Sequence, residues 1–169
     1  MIKTVKSKTD SSKVEIDELL SRAQLQWESG ELRSAFRVFL AVAKAGDVIA
    51  QLNLGYFYDV GVGIKPNRPA AIYWYKRAYR QGHGSAANNI GTIFRDKGDT
   101  KRALAWFERA VKLGDTDANL EIAKIYIRER NQVVKAIPYL KCVIKTKVGL
   151  NVSLASQEEA KRLLREYST

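Results

Sequence analysis

"AAIYWYKRAYRQGHGSAANNIG", residues 70–91, returns in altered spelling as "RALAWFERAVKLGDTDANLEIA", residues 102–123. Ala71, Trp74, Tyr75, Ala78 and Gly82 of the first stretch correspond to Ala103, Trp106, Phe107, Ala110 and Gly114 of the second. The same pattern of a small residue followed by a large one recurs at Ala35-Phe36-x-x-Phe39 and at Ala136-Ile137-x-Tyr139-Leu140. The four starts lie 36, 32 and 33 residues apart, and an upstream column of small residues, Ala23, Gly55, Gly91 and Ala123, accompanies them. A period in the low thirties marks a two-helix repeat. One helix pair cannot cover its own apolar face and must stack on the next.

Spacing within a unit is helical. Ala86, Ile90, Ile93 and Phe94 recur at threes and fours, as do Ala103, Trp106, Phe107 and Ala110. The small residues let helix backbones approach, and the aromatic fills the space between them. Gly46-Asp47, Gly98-Asp99 and Gly114-Asp115 each set a helix-ending glycine before an N-cap aspartate. Ser12-x-x-Glu15 and Ser156-x-x-Glu159 are candidate capping boxes. The expected helices are 13–29, 32–45, 48–59, 68–81, 84–97, 100–113, 116–129, 133–146 and 156–167. A start near Val134 puts Pro138 at about the first turn, where its missing N–H costs little. The predicted fold is all-α, a right-handed α-α superhelix (solenoid) of about four helix-turn-helix repeats plus a C-terminal capping helix. The units are expected at 12–46, 47–82, 83–114 and 115–147, behind a flexible segment 1–11. Residues 148–169 hold the cap, with Leu163, Leu164 and Tyr167 on its apolar side.

The second unit, "AQLNLGYFYDVGVGIKPNRPAAIYWYKRAYRQGHGSA", residues 50–86, carries a family resemblance. Its Ala50, Leu54-Gly55, Tyr58, Gly61, Gly63, Ala71, Trp74-Tyr75, Ala78 and Gly82 resemble the Sel1-like repeat, a variety of the tetratricopeptide repeat. The third unit lacks four loop residues and is similar to the shorter tetratricopeptide spacing. The first and fourth are degenerate, with Gln26 and Ala123 in place of the usual tyrosine and glycine. The resemblance spans roughly residues 15–147. It implies a non-enzymatic protein-binding scaffold, often an adaptor, in a family whose bacterial members include immunity proteins. It also implies a junction role for His83, in "QGHGSA".

The chain has 169 residues, 46% apolar and 28% charged, with a formal net charge of +11. Such a balance fits a globular domain and favours anionic partners. No apolar run approaches the ~18 residues of a membrane span, and no apolar segment follows the basic N-terminus, so a cytoplasmic location is expected. The positive surplus is spread about evenly over 47–82, 83–114 and 115–148, and from Arg130 onward no acid appears until Glu158. Without a basic arm interleaved with stacking aromatics, nucleic acid is a disfavoured partner. One histidine and one cysteine exclude a multi-histidine metal site and an internal disulfide. Cys142, in an apolar helical stretch, is expected as a buried small hydrophobe. "GVG" at 61–63 follows a helix rather than a strand and precedes Pro66, which marks an inter-helix loop and not a phosphate cradle. No catalytic residues, cofactor or metal are expected.

The candidate binding residues lie off the packing columns, on the first helix of each unit, which in such a repeat lines the concave groove. Trp27 shares a column with Asp59, Arg95 and Ile127, and with Tyr56 is a candidate anchor, since tryptophan is enriched in binding hot spots. Asn88 can both donate to and accept from a peptide backbone, with Thr92 one turn on. Arg95, Lys124 and Arg128 are expected to form a basic end that draws acidic groups. The leading expectation is capture in the groove of a protein or peptide that carries acidic groups. The alternatives are neutralisation of a toxin by an immunity protein and nucleic-acid binding by the basic surface.

Overall fold

The structure is a computed structural model that describes residues 8–128, 132–149 and 152–167. Among the described residues there are nine α-helices: α1 (Lys8–Glu28), α2 (Leu32–Ala45), α3 (Val48–Tyr56), α4 (Arg68–Arg80), α5 (Gly84–Asp96), α6 (Thr100–Lys112), α7 (Asp117–Arg128), α8 (Val133–Lys145) and α9 (Leu154–Tyr167). The described chain is all-α, and its one β-type contact is an isolated antiparallel bridge between Gly149 and Val152. No described helix is long and apolar enough to cross a membrane.

Helix starts follow local chemistry. Asp47, Asp99 and Asp115 accept hydrogen bonds from the backbone N–H groups of Ala50 (2.7 Å), Arg102 (2.9 Å) and Ala118 (3.1 Å). Each satisfies a donor that the first helical turn leaves without a partner. Two expected caps fall elsewhere. α1 begins by Lys8, so Ser12 lies inside it, and of the expected flexible segment only 1–7 is outside the described residues. At α9 the cap is Ser153, whose Oγ accepts from the N–H of Ser156 at 3.0 Å, three residues before the expected position. α8 begins at Val133, which puts Pro138 in the second turn rather than the first.

The chain divides into two compact units, Met1–Ala78 and Tyr79–Thr169, with the break inside α4. In the first, Ala23, Ala35, Phe39, Val42, Ala43, Ala50, Leu54, Phe57 and Trp74 form a continuous buried core. Buried Gly55 lies so close to Tyr75 that a Cβ there would overlap the ring. After Tyr56 the helix widens into a π turn, Phe57–Gly61, in which the N–H of Val62 donates to the carbonyl of Phe57 at 3.1 Å. Gly61 and Gly63, at φ of 84° and 67°, then take left-handed conformations that suit glycine and turn the chain toward Pro66 and α4.

In the second unit one cluster gathers Phe107 with Ala87, Ala103, Ala110, Ala118, Ile122 and Ile125. Another joins Leu120, Ala123, Ala136, Leu140 and Val143 to Val152, Ala160 and Leu163, so that α9 covers apolar surface of α7 and α8. Leu164 packs against that cluster, whereas Tyr167 is exposed. The close approach recurs here, with a Cβ on Gly91 standing 2.6 Å from Phe107 Cδ1. In the fourth repeat both partners change together: Ala123 replaces the glycine and Leu140 replaces the aromatic. Cys142 is exposed, contrary to the sequence expectation. It lies two residues past Leu140 and so about 200° around α8, away from the buried stripe of Ala136, Leu140 and Val143.

Gly91→Ala is expected to destabilise the chain by about 1–3 kcal/mol, as overpacking does. Adding Phe107→Leu, which restores the combination at Ala123 and Leu140, should recover part of that loss. Urea unfolding followed by circular dichroism measures both, and equal destabilisation of the single and double variants would contradict the contact.

Candidate functional site

In the first unit the candidate anchors are joined to the core. The Trp27 ring meets Phe57 at 5.0 Å and Phe39 at 6.4 Å, both edge-on, and Tyr56 at 5.7 Å. Trp27 is therefore half-buried against α2, α3 and the π turn, while Tyr56 beside it is 41% exposed. Asp59 pairs with Arg68 Nε at 3.6 Å across the π turn and its following loop. Along α3 and into the π turn, Ile49, Tyr56 and Val60 recur at roughly helical spacing, and Ile49 and Val60 are exposed as well. This face is apolar, with Asp59 and Arg68 at its end.

In the second unit the corresponding faces are polar. Asn88 of α5 donates through Nδ2 to Asp115 Oδ1 at 3.2 Å. Asp115 thus serves two purposes, capping α7 and holding Asn88. Burial pushes its carboxyl above the ordinary aspartate range. Hydrogen bonds from Ser85 and the Ala118 N–H, with the nearby His83, offset that rise only in part. Gly84 sits against Asp115, where a Cβ would come within 3.0 Å of it. Thr92, one turn beyond Asn88, is half-buried.

Beyond Thr92 the charges form a ladder across three helices. Arg95 of α5 pairs with its neighbour Asp96 at 2.9 Å and, through Nη1, with Glu121 of α7. Glu121 also accepts from Lys124 at 3.1 Å, and Lys124 reaches Glu159 of α9 at 2.9 Å. Burial works against the charge of Arg95. Its hydrogen bond to Asp96 and the attraction and hydrogen bond of Glu121 more than compensate, and the guanidinium is held more firmly protonated than usual. Arg128 is exposed, with no ion-pair partner among the described residues. The basic end expected from Arg95, Lys124 and Arg128 is accordingly interleaved with acid, because Glu121 and Glu159 stand between the cations.

Sequence reasoning singled out the cations and passed over these acids. Glu121 three residues before Lys124 was legible as a helical pair. Its contact with Arg95, 26 residues earlier, depends on how α5 and α7 lie. His83 occupies the junction before α5, yet its side chain makes no capping bond, and its buried Nδ1 has no hydrogen-bond partner among the described residues. No group of three or more His, Cys, Asp or Glu side chains suited to a metal ion occurs among the described residues.

The comparisons agree with the repeat pattern. The Sel1 repeat family model matches residues 48–83 and 85–115. A sel1-like repeat-containing protein of Acanthamoeba polyphaga mimivirus is 29% identical over 86 residues, which are 51% of this chain and 16% of that protein. The chain therefore spans under a fifth of that relative's length. A Sel1 repeat protein from Oxalobacter formigenes superimposes with a TM-score of 0.66 at 20% identity, covering 94% of this chain and 76% of that one. A protective antigen of uropathogenic Escherichia coli strains, described as displaying an SLR fold, gives 0.65 at 15% identity, covering 94% of this chain and 39% of that one. At these identities the structures show the fold, an all-α helix-pair repeat of the solenoid class. The resemblance carried by Ala50 to Gly82 stands.

Asp115 gives a test with a definite sign. Because its pKa is raised in the folded chain, folding favours the protonated carboxyl. That contribution is fully present below the unfolded value of about 3.9 and is lost as the pH rises through the folded value. The stability of the wild type relative to Asp115→Asn should therefore fall from acid toward neutral pH, as urea midpoints at the two pH values would report. Asp115→Ala, which loses the cap and strands Asn88, should cost about 1–2 kcal/mol.

Proposed function

We propose that this chain is a non-enzymatic protein-binding scaffold that captures a protein or peptide on the first-helix faces of its repeats. The observation that carries this reading is the division of labour among residues. Positions that recur from unit to unit are buried in helix contacts, whereas Thr92, Arg95, Lys124 and Arg128 differ at every repeat and stay half-buried or exposed. Variable polar side chains on a stiff frame are what a recognition surface needs. The repeat type supports the reading too, since Sel1-like folds are generally scaffolds rather than enzymes.

The ladder also suggests what a partner carries. A partner carboxylate can meet exposed Arg128 directly. It can engage Arg95 or Lys124 by displacing Glu121 or Glu159, an exchange of one ion pair for another. The partner segment would then carry both signs, its own base taking up the released acid. In the first unit, Tyr56 with Ile49 and Val60 would receive apolar side chains, with Trp27 holding Tyr56 in place. Neutralising a toxin is one form that such capture would take, on the same residues.

A photo-activated cross-linker at Thr92 or at Arg128 should trap the same protein from extracts of the source cells, and one at Lys112 on α6 should not. Arg95→Gln combined with Arg128→Glu should weaken binding of the purified partner by about fivefold, as expected for two partly exposed charges, with helicity unchanged. Cross-links from Lys112 alone, or affinity indifferent to the double substitution, would remove the assignment.

A further inference from the structure

The outward face of α8 is unlike the ladder. Opposite its buried stripe of Ala136, Leu140 and Val143, the helix turns Val134, Pro138, Lys141, Cys142 and Lys145 to the outside in one strip about 16 Å long. Lys147 and Val148 follow immediately and are exposed. Val134, at 79%, is the most exposed of the large hydrophobic side chains among the described residues, and Val148 is 44% exposed. Lys141, Lys145 and Lys147 have no ion-pair partner among the described residues, and the sequence holds no acid between Arg130 and Glu158. Elsewhere in this unit Arg95, Lys124, Lys161 and Arg162 are paired, and Arg128 stands alone on a different helix.

From this we infer that the outer face of α8, with Lys147 and Val148 beyond it, docks on an anionic lipid membrane surface. Three features select that partner among polyanions. All three cations are lysines, point charges without the planar fork that fixes a single carboxylate or phosphate, and such charges suit a fluid array of headgroups. The strip contains no aromatic side chain on which a base could stack, and phosphate backbones have no use for exposed valines. Val134 and Val148 lie at the two ends of the lysine row, where they can enter the boundary between headgroups and acyl chains while the ammonium groups stay at headgroup level. Contact is peripheral and reversible, driven mainly by charge and therefore weakened by salt. It uses the second helix of its repeat and leaves Thr92, Arg95 and Arg128 of the proposed capture surface out of the contact, so the two readings stand or fall separately.

The test is co-sedimentation of the whole chain with vesicles of phosphatidylcholine alone and of phosphatidylcholine with about one-third phosphatidylserine. Binding is expected only to the anionic vesicles. A lysine near such a surface contributes about fivefold, so Lys141→Glu, Lys145→Glu and Lys147→Glu together should lower the partition by at least about a hundredfold. Val134→Ser with Val148→Ser should lower it several-fold. All five side chains are exposed, and circular dichroism should show both variants folded. No binding to anionic vesicles, binding retained by the triple variant, or indifference to the valine changes would each overturn the proposal. Tighter binding to a DNA duplex or to polyglutamate than to the anionic vesicles would overturn it as well, in favour of a soluble polyanion.

Discussion

The contact between a residue without a side chain and an aromatic ring, Gly55 against Tyr75 and Gly91 against Phe107, sets the distance between the two helices of a repeat. Much else follows from that distance. It determines where the alanines of the second helix can pack, and it requires the ring to be flat and large enough to fill the space. A methyl group added on one side can be matched by a smaller group on the other, and the fourth repeat makes that trade with Ala123 and Leu140. Ala23 opposite Phe39 in the first repeat shows that a ring can also be accommodated against alanine, within a core that gathers Trp27, Phe36 and Phe57 around it.

Because the recurring residues are consumed by these contacts, they cannot also specify a partner. The chemistry available for recognition sits on side chains that the repeat leaves unconstrained, and the two compact units use that freedom differently. The first presents Tyr56, Ile49 and Val60 beside a half-buried tryptophan. The second presents a ladder in which cations and carboxylates alternate. Pairing lowers the field of Arg95 and Lys124 in their immediate surroundings, and the net charge of the chain is felt more strongly where lysines stand alone.

Legibility divides along the same line. Helix positions, the aspartate caps and the burial of Trp74, Tyr75 and Phe107 were readable because each depends on neighbours within a turn or on a spacing that repeats. The first capping serine was misplaced because a helix can extend upstream of a good cap whenever the preceding residues tolerate helix, as Lys8 to Ser11 do. Ser153 was overlooked because Ser156 completes the box spelling, while geometry depends on where the turn after the Gly149–Val152 bridge releases the chain. Cys142 was judged by the apolar letters around it rather than by its angle on the helix. The pairing of Arg95 with Glu121 and the bond from Asn88 to Asp115 join residues more than 25 positions apart, and spacing alone leaves such partners open.

The π turn at Phe57–Gly61 bears on how repeats of unequal length coexist in one chain. The second repeat carries four more residues in its loop than the third, yet both place a glycine against a ring. The surplus is taken up locally, in a widened turn and two left-handed glycines, before α4 begins. A shim of this kind decouples sequence length from structural pitch. What such repeats must inherit is the glycine-to-ring contact, and the number of residues between contacts can drift as long as a hinge of this sort absorbs the difference.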